Sequence, residues 1–145
     1  MLLVECSNIK KSFGDRSILD IKNLKVYSQD RIGIVGVNGV GKTTLINILC
    51  QRLQADEGSV KLYGRYSYIS QLEGPESISI TNEMASRFNV ESIWNENMSG
   101  GEKTRFKLAH ALSQNSLLIF ADEPTSNMDN VQIMIKKKLK MKFSY

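Results

Sequence analysis

The sequence predicts an α/β fold with a parallel core sheet, and three observations support this prediction. Two short apolar runs, residues 31–35 and 117–121, stop at a glycine and at an acidic residue, as strands buried in a parallel sheet do. Residues 42–53, which follow the first run, have apolar residues at helical spacing. The same spacing occurs at residues 99–114, which precede the second run. Strands that alternate with helices are typical of α/β domains.

The N-terminal region predicts a small antiparallel sheet. Residues 2–13 form one predicted strand, which runs into a turn at Gly14, and residues 18–27 alternate as a half-buried strand does. Beyond the helix over 42–53, residues 58–63 and 66–70 predict two further strands.

The pattern is weaker between residues 71 and 97. Residues 81–88 predict a helix there, and Trp94 is expected to anchor a core. From Ser99 a helix is predicted to about Gln114, with an apolar side made of Phe106, Leu108, Ala109 and Leu112.

Composition excludes several classes of protein. With 41% hydrophobic residues, 23% charged residues and two prolines, the chain is neither disordered nor collagen-like. Its longest apolar run is far shorter than the roughly 20 residues of a membrane span. Glu5 interrupts the apolar start of the chain, so no secretory leader is predicted. Cys6 and Cys50 are expected to be buried thiols, and the chain is expected to be cytoplasmic.

The net charge of +4 comes from the end of the chain. Five of its lysines lie in the last ten residues, and the remainder carries 14 basic and 15 acidic residues, so the body of the chain shows no nucleic-acid footprint. From residue 133 onward, apolar residues and lysines follow a two-residue period. We expect this tail to be a non-native end produced by truncation or a frame change; a basic surface-binding arm is the alternative.

Residues 36–43, here called the phosphate loop, match the pattern G-x-x-x-x-G-K-[ST] in full. Glycines let such a loop point its backbone N–H groups at phosphates. The helix that begins near Lys42 adds its N-terminal dipole. Lys42 is expected to reach the β- and γ-phosphates of a nucleotide, and the Thr43 hydroxyl to bind Mg²⁺. The loop consists of Gly36, Val37, Asn38, Gly39, Val40, Gly41, Lys42 and Thr43.

Two acidic residues follow the apolar run at 117–121. Asp122 is expected to hold Mg²⁺, and Glu123 to activate the attacking water as a general base. An Asp-Glu pair after a strand is common by chance, so this interpretation depends on the phosphate loop.

The phosphate loop, Met98-Ser99-Gly100-Gly101-Glu102 and Asp122-Glu123-Pro124-Thr125 together resemble the ATP-binding cassette (ABC) ATPases. The segment Ser-Gly-Gly-Glu-Lys-Thr-Arg at 99–105 is most similar to the F-type branch, soluble proteins that act on ribosomes and include antibiotic-resistance proteins. This resemblance implies a P-loop nucleotide-binding fold, with an N-terminal antiparallel β-subdomain and a short helical subdomain. It covers residues 1–130, and residues 131–145 are predicted to be a lysine-rich tail outside the family.

The resemblance also implies roles for single residues. Phe13 would stack on adenine, unless it is only an apolar residue before the Gly14 turn. Gln71 would contact Mg²⁺ or water and sense the γ-phosphate, and Thr44 would join the nucleotide contacts. Ser99, Gly100 and Gly101 would bind the γ-phosphate of ATP on an opposing cassette. Ser99 and Glu102 also match a capping box, and both roles are compatible.

The implied activity is hydrolysis of ATP with Mg²⁺ by two paired cassettes, in a homodimer or with a second domain. The ribosome and its rRNA are the expected partner, and transporter subunits in a membrane are the alternative. We expect the cassette to be C-terminally incomplete, because the family's histidine beyond Asp129 has no counterpart: His110, the only histidine, precedes Asp122. A remnant without turnover is therefore a second hypothesis.

Overall fold

A computed structural model of the chain describes residues 1–37, 39–70 and 79–122, together with the backbone of residues 137–139. The chain divides into two compact units. The first comprises Met1–Gly64 and Ile133–Tyr145, and the second comprises Arg65–Gln132.

The first unit contains the predicted antiparallel sheet. Its elements in chain order are β1 (Leu2–Phe13), β2 (Arg16–Tyr27), β3 (Ile32–Ile34), α1 (Lys42–Leu49) and β4 (Glu57–Leu62). Strand β1 lies between β2 and β4 and is antiparallel to both. Buried side chains of β1 and β2, including Val4, Cys6, Ile9 and Leu19, form the core. The alternation of buried and exposed residues along β1 is interrupted between Cys6 and Ile9, where Asn8 has a positive φ of 51°.

Helix α1 is shorter than the predicted helix over residues 42–53. It ends at Leu49, and Gln51 has the positive φ of 59° that the right-handed helix excludes. The predicted apolar side is otherwise correct, because Leu45, Ile46, Ile48 and Leu49 are all buried. Leu53 lies beyond the helix.

The second unit contains β5 (Tyr66–Ile69), α2 (Asn82–Phe88), α3 (Gly100–Ser113) and β6 (Leu118–Ala121). Strands β5 and β6 are parallel neighbours, with Tyr66 opposite Leu118 and Ile69 opposite Ala121. Together with the N-terminal sheet, this pairing confirms the predicted α/β class. The longest described helix has 14 residues, and none of the described helices has the length and apolarity of a membrane span.

Helices α2 and α3 share a core in which Phe106 is fully buried and Trp94 packs edge-on against it, with ring centroids 5.5 Å apart. The predicted apolar side of α3 is wrong at Leu112, which is 48% exposed. The predicted burial of Phe106 and Ala109 is correct, and Ala111, which was not predicted, is buried as well. Strand β5 lies close to Ala111, where the Ser67 hydroxyl donates to the Ala111 carbonyl oxygen at 3.3 Å. Small side chains permit that approach.

The backbone of Lys137–Leu139 forms a strand, β7, that pairs in parallel with β3. Extended structure at this point agrees with the two-residue period of the tail. The division of the chain into a cassette at 1–130 and a tail at 131–145 stays a prediction.

Candidate nucleotide-binding site

The phosphate loop connects β3 to α1, as the sequence predicts. Strand β3 ends at Ile34 and α1 begins at Lys42. The residues between them lie largely at the surface, with Val37 67% exposed. Asn38 lies outside the described residues. A strand, a glycine-rich loop and a helix in this order form the arrangement that presents backbone N–H groups to a phosphate.

The Lys42 ammonium group lies across the loop. It donates hydrogen bonds to the carbonyl oxygens of Gly36, at 2.9 Å, and Val37, at 3.0 Å. A lysine ammonium has three N–H donors, so one remains beyond these two bonds. The positive charge is therefore held at the mouth of the loop, where a phosphate group would approach.

Gly41 directly precedes α1 and cannot be replaced without distortion. Its φ of 108° is a conformation that side chains rarely adopt, and a Cβ atom there would lie 2.5 Å from Cγ2 of the buried Ile18. No acidic residue lies in the first turn of α1. The partial positive charge of this helix end is thus available to an anion.

We expect Gly41→Ala to lower the free energy of unfolding by about 2–4 kcal/mol, because backbone strain and overpacking against Ile18 add together. Gly39→Ala is the matched control: Gly39 also has a positive φ, 76°, but a Cβ there would meet no atom of the described residues within 4 Å. Its expected cost is about 1 kcal/mol. Urea unfolding of both variants measures the difference, and equal costs would contradict the described packing around Gly41.

Three other predicted nucleotide contacts lie in the same unit. Thr43 is exposed and Thr44 half-buried in the first turn of α1. Phe13 ends β1 and is 53% exposed, and the Lys11 ammonium lies 5.5 Å from the centroid of its ring. An exposed aromatic ring is available for stacking, and its adenine contact stays a prediction.

In the second unit, Asp122 directly follows β6 and is only 7% exposed. Its backbone N–H donates to the Ile69 carbonyl oxygen at 3.0 Å, which fixes it beside the carboxyl end of β5. The carboxyl ends of parallel strands are where α/β folds bind ligands. A carboxylate at this edge fits Mg²⁺, which prefers oxygen ligands. Gln71, Glu123 and Asp129 lie outside the described residues.

Ser99 forms the predicted capping box at the start of α3. Its hydroxyl accepts from the Glu102 N–H at 3.3 Å, while the Glu102 carboxylate accepts from the Ser99 N–H at 2.8 Å. Hydrogen bonds from the Ser99 side chain and backbone lower the pKa of Glu102. Gly100 and Gly101 are the first two residues of α3. The structural role of Ser99 is thus confirmed, and the role of these three residues in binding phosphate stays a prediction.

The structure also contains a contact that sequence reasoning missed. The Lys107 ammonium on α3 donates to the Ser70 carbonyl oxygen at 2.9 Å. Nothing in the local sequence distinguishes Lys107 from other helix-surface lysines.

These features define a P-loop α/β nucleotide-binding domain. The family model described as "ABC transporter" matches residues 19–84 and 76–126. The chain therefore belongs to the ATP-binding cassette family, whose members bind ATP with Mg²⁺ and work as paired cassettes.

Several curated proteins are similar to the chain. The erythromycin resistance ATP-binding protein MsrA of Staphylococcus epidermidis is 30% identical over 88% of the chain, and the energy-dependent translational throttle protein EttA of Haemophilus influenzae is 29% identical over 88%. The chain spans only 27% and 28% of their lengths. The tungstate uptake system ATP-binding protein TupC of Peptoclostridium acidaminophilum is 29% identical, and there the chain spans 74% of the relative.

A solved structure shows the same fold. A metal-chelate type ABC transporter in an inward-facing conformation superposes with a TM-score of 0.70 at 20% identity, covering 88% of this chain and 62% of that one.

Proposed function

We propose that this chain binds Mg·ATP at the phosphate loop and hydrolyses it at a site completed by a second cassette. The observation that carries the proposal is the phosphate loop itself, in which the Lys42 ammonium bonds across the loop and Gly41, with a φ of 108°, directly precedes α1. The family match supports the same conclusion.

Each candidate residue has a role in this proposal. Lys42 and the loop N–H groups bind the β- and γ-phosphates, while Phe13 stacks on the adenine. Thr43, Gln71 and Asp122 would hold the Mg²⁺, with Thr44 beside them. Bound Mg²⁺ would neutralise charge on the phosphate oxygens.

Glu123 is the proposed general base. It accepts a proton from the water whose oxygen attacks the γ-phosphorus, while the bond from the γ-phosphorus to the bridging oxygen breaks and ADP leaves with that electron pair. The products are ADP and inorganic phosphate.

The second cassette supplies donors that one cassette lacks. Ser99, Gly100 and Gly101 of one cassette would bind the γ-phosphate on the other, because the backbone N–H groups of two glycines at a helix start favour an anion. Donors aimed at a charged transition state contribute strongly to catalysis, so a single cassette is expected to be a poor ATPase.

The chain is proposed to come from the F-type branch and to act on ribosomes in the cytoplasm. Support comes from the segment at 99–105 and from relatives whose names refer to erythromycin resistance and translation. The likeness to the tungstate uptake protein, of which the chain spans 74%, favours a transporter ATP-binding subunit as the second candidate. Co-purification of the ATP-bound protein with ribosomes supports the first candidate, and co-purification with membranes supports the second.

Glu123→Gln is expected to reduce ATP hydrolysis at least about 100-fold while ATP remains bound, since the amide keeps the shape of the side chain but cannot accept the proton. The variant should also elute as a dimer in Mg·ATP during size-exclusion chromatography. Glu91→Gln, at an exposed glutamate of the second unit, is the control and should hydrolyse ATP as the parent chain does. Unchanged hydrolysis by Glu123→Gln would remove Glu123 as the base. If the parent chain binds ATP but does not hydrolyse it, the second hypothesis, a remnant without turnover, is supported.

A further inference from the structure

Lys107 links α3 to the carboxyl end of β5. Its ammonium donates to the Ser70 carbonyl oxygen at 2.9 Å in a partly buried position, 37 residues away along the chain. A hydrogen bond from a charged donor is stronger than one between neutral groups. Ser70 is the residue immediately before Gln71.

The same end of β5 is also bonded to Asp122. The Ile69 carbonyl oxygen accepts from the Asp122 N–H at 3.0 Å, while the next carbonyl, that of Ser70, accepts from Lys107. Two consecutive carbonyl groups therefore connect β5 to β6 on one side and to α3 on the other. Asp122 and Lys107 therefore bond to two neighbouring residues of the chain, Ile69 and Ser70.

The Lys107 side chain is itself held in place. Its ammonium lies 5.9 Å from the centroid of the Trp94 ring, and that ring packs against the fully buried Phe106. Lys103, one turn earlier, lies at the same distance of 5.9 Å from the Trp94 ring. It pairs instead with Glu96, at 3.2 Å. The two lysines thus share the aromatic contact, whereas the Lys103 ammonium bonds to Glu96 and the Lys107 ammonium to Ser70.

We infer that Lys107 is a positioning residue, which fixes the carboxyl ends of β5 and β6, and with them Asp122, relative to the helix that begins at Ser99. The inference rests on the proposed function in one respect, the role of Asp122 in binding Mg²⁺. Through this bond, α3 sets the position of the carboxylate, because a shift of the helix must move Ser70 or break the bond.

Hydrogen exchange of the full chain tests the link without depending on turnover. In Lys107→Met, which keeps the apolar stem but loses the donor, backbone amides in 66–70 and 118–122 should exchange at least about 5-fold faster. Lys103→Met is the matched control and should change them less than about 2-fold. Lys107→Arg, which restores a charged donor, should return exchange towards the parent rate. If Lys107→Met does not fold, Lys107→Gln, too short to reach Ser70 in the same way, replaces it.

Kinetics provide the second readout. Lys107→Met should lower kcat for ATP about 5- to 10-fold and leave the Kd for ATP within about 2-fold, because the phosphate loop lies in the other unit. Unchanged exchange in Lys107→Met, or equal effects of Lys103→Met, would overturn the inference. A parent chain without ATPase activity would contradict the proposed function alone, since the exchange comparison still decides the role of Lys107.

Discussion

Lys42→Ala is expected to weaken the binding of Mg·ATP by about 100-fold or more, the largest effect on nucleotide binding expected for this chain. The substitution removes the positive charge at the mouth of the phosphate loop. It also removes the two hydrogen bonds that the ammonium donates to the carbonyl oxygens of Gly36 and Val37. The affinity for ATP should fall more than it would for the loss of one neutral hydrogen bond, because the lost donor is charged and the phosphates are negative.

Equilibrium dialysis with Mg·ATP measures this effect. Lys22→Ala is the matched control, because Lys22 is an exposed lysine on β2 of the same unit and the change in net charge is identical. The control should bind like the parent chain. Equal affinities for Lys42→Ala and the parent would show that the phosphate loop is not the binding site.

Phe106→Ala is expected to lower the free energy of unfolding by about 3–5 kcal/mol, the largest effect on stability. Phe106 lies on α3 and is fully buried in the core that α3 shares with α2. Its ring packs edge-on against the ring of Trp94. The truncation leaves a cavity among neighbours that cannot collapse fully, so lost contacts add to the lost burial. Urea unfolding followed by far-ultraviolet circular dichroism measures it without relying on the fluorescence of Trp94.

Leu112→Ala tests whether Leu112 is exposed, as in the structure, or buried, as the sequence pattern predicts. The helical spacing places Leu112 on the apolar side of α3, whereas in the structure it is 48% exposed. Its truncation should therefore cost about 1 kcal/mol or less. A cost for Leu112→Ala as large as that for Phe106→Ala would contradict the described packing of α3.

The phosphate loop could be predicted from the sequence because its geometry is local. Gly39 and Gly41 supply positive φ angles within eight residues, and the apolar strand and the helical spacing that flank them are short-range patterns. The capping box at Ser99 is local in the same sense, since both partners lie within one helical turn.

Features that depend on tertiary packing could not be predicted. The buried side of α3 depends on the strand that packs against it, and helical periodicity does not carry that information. Periodicity likewise did not reveal the positive φ of Gln51, just beyond the end of α1. The bond between Lys107 and Ser70 joins residues far apart in the chain. The roles of Gln71 and Glu123 remain predictions from the resemblance.

Calorimetric titration of the purified, monodisperse chain with Mg·ATP tests the central claim most directly. We expect saturable binding of one nucleotide per chain, because all eight positions of the phosphate loop lie within the first unit. The absence of binding by a folded chain would contradict it, and the function would then belong to a longer protein that carries these motifs.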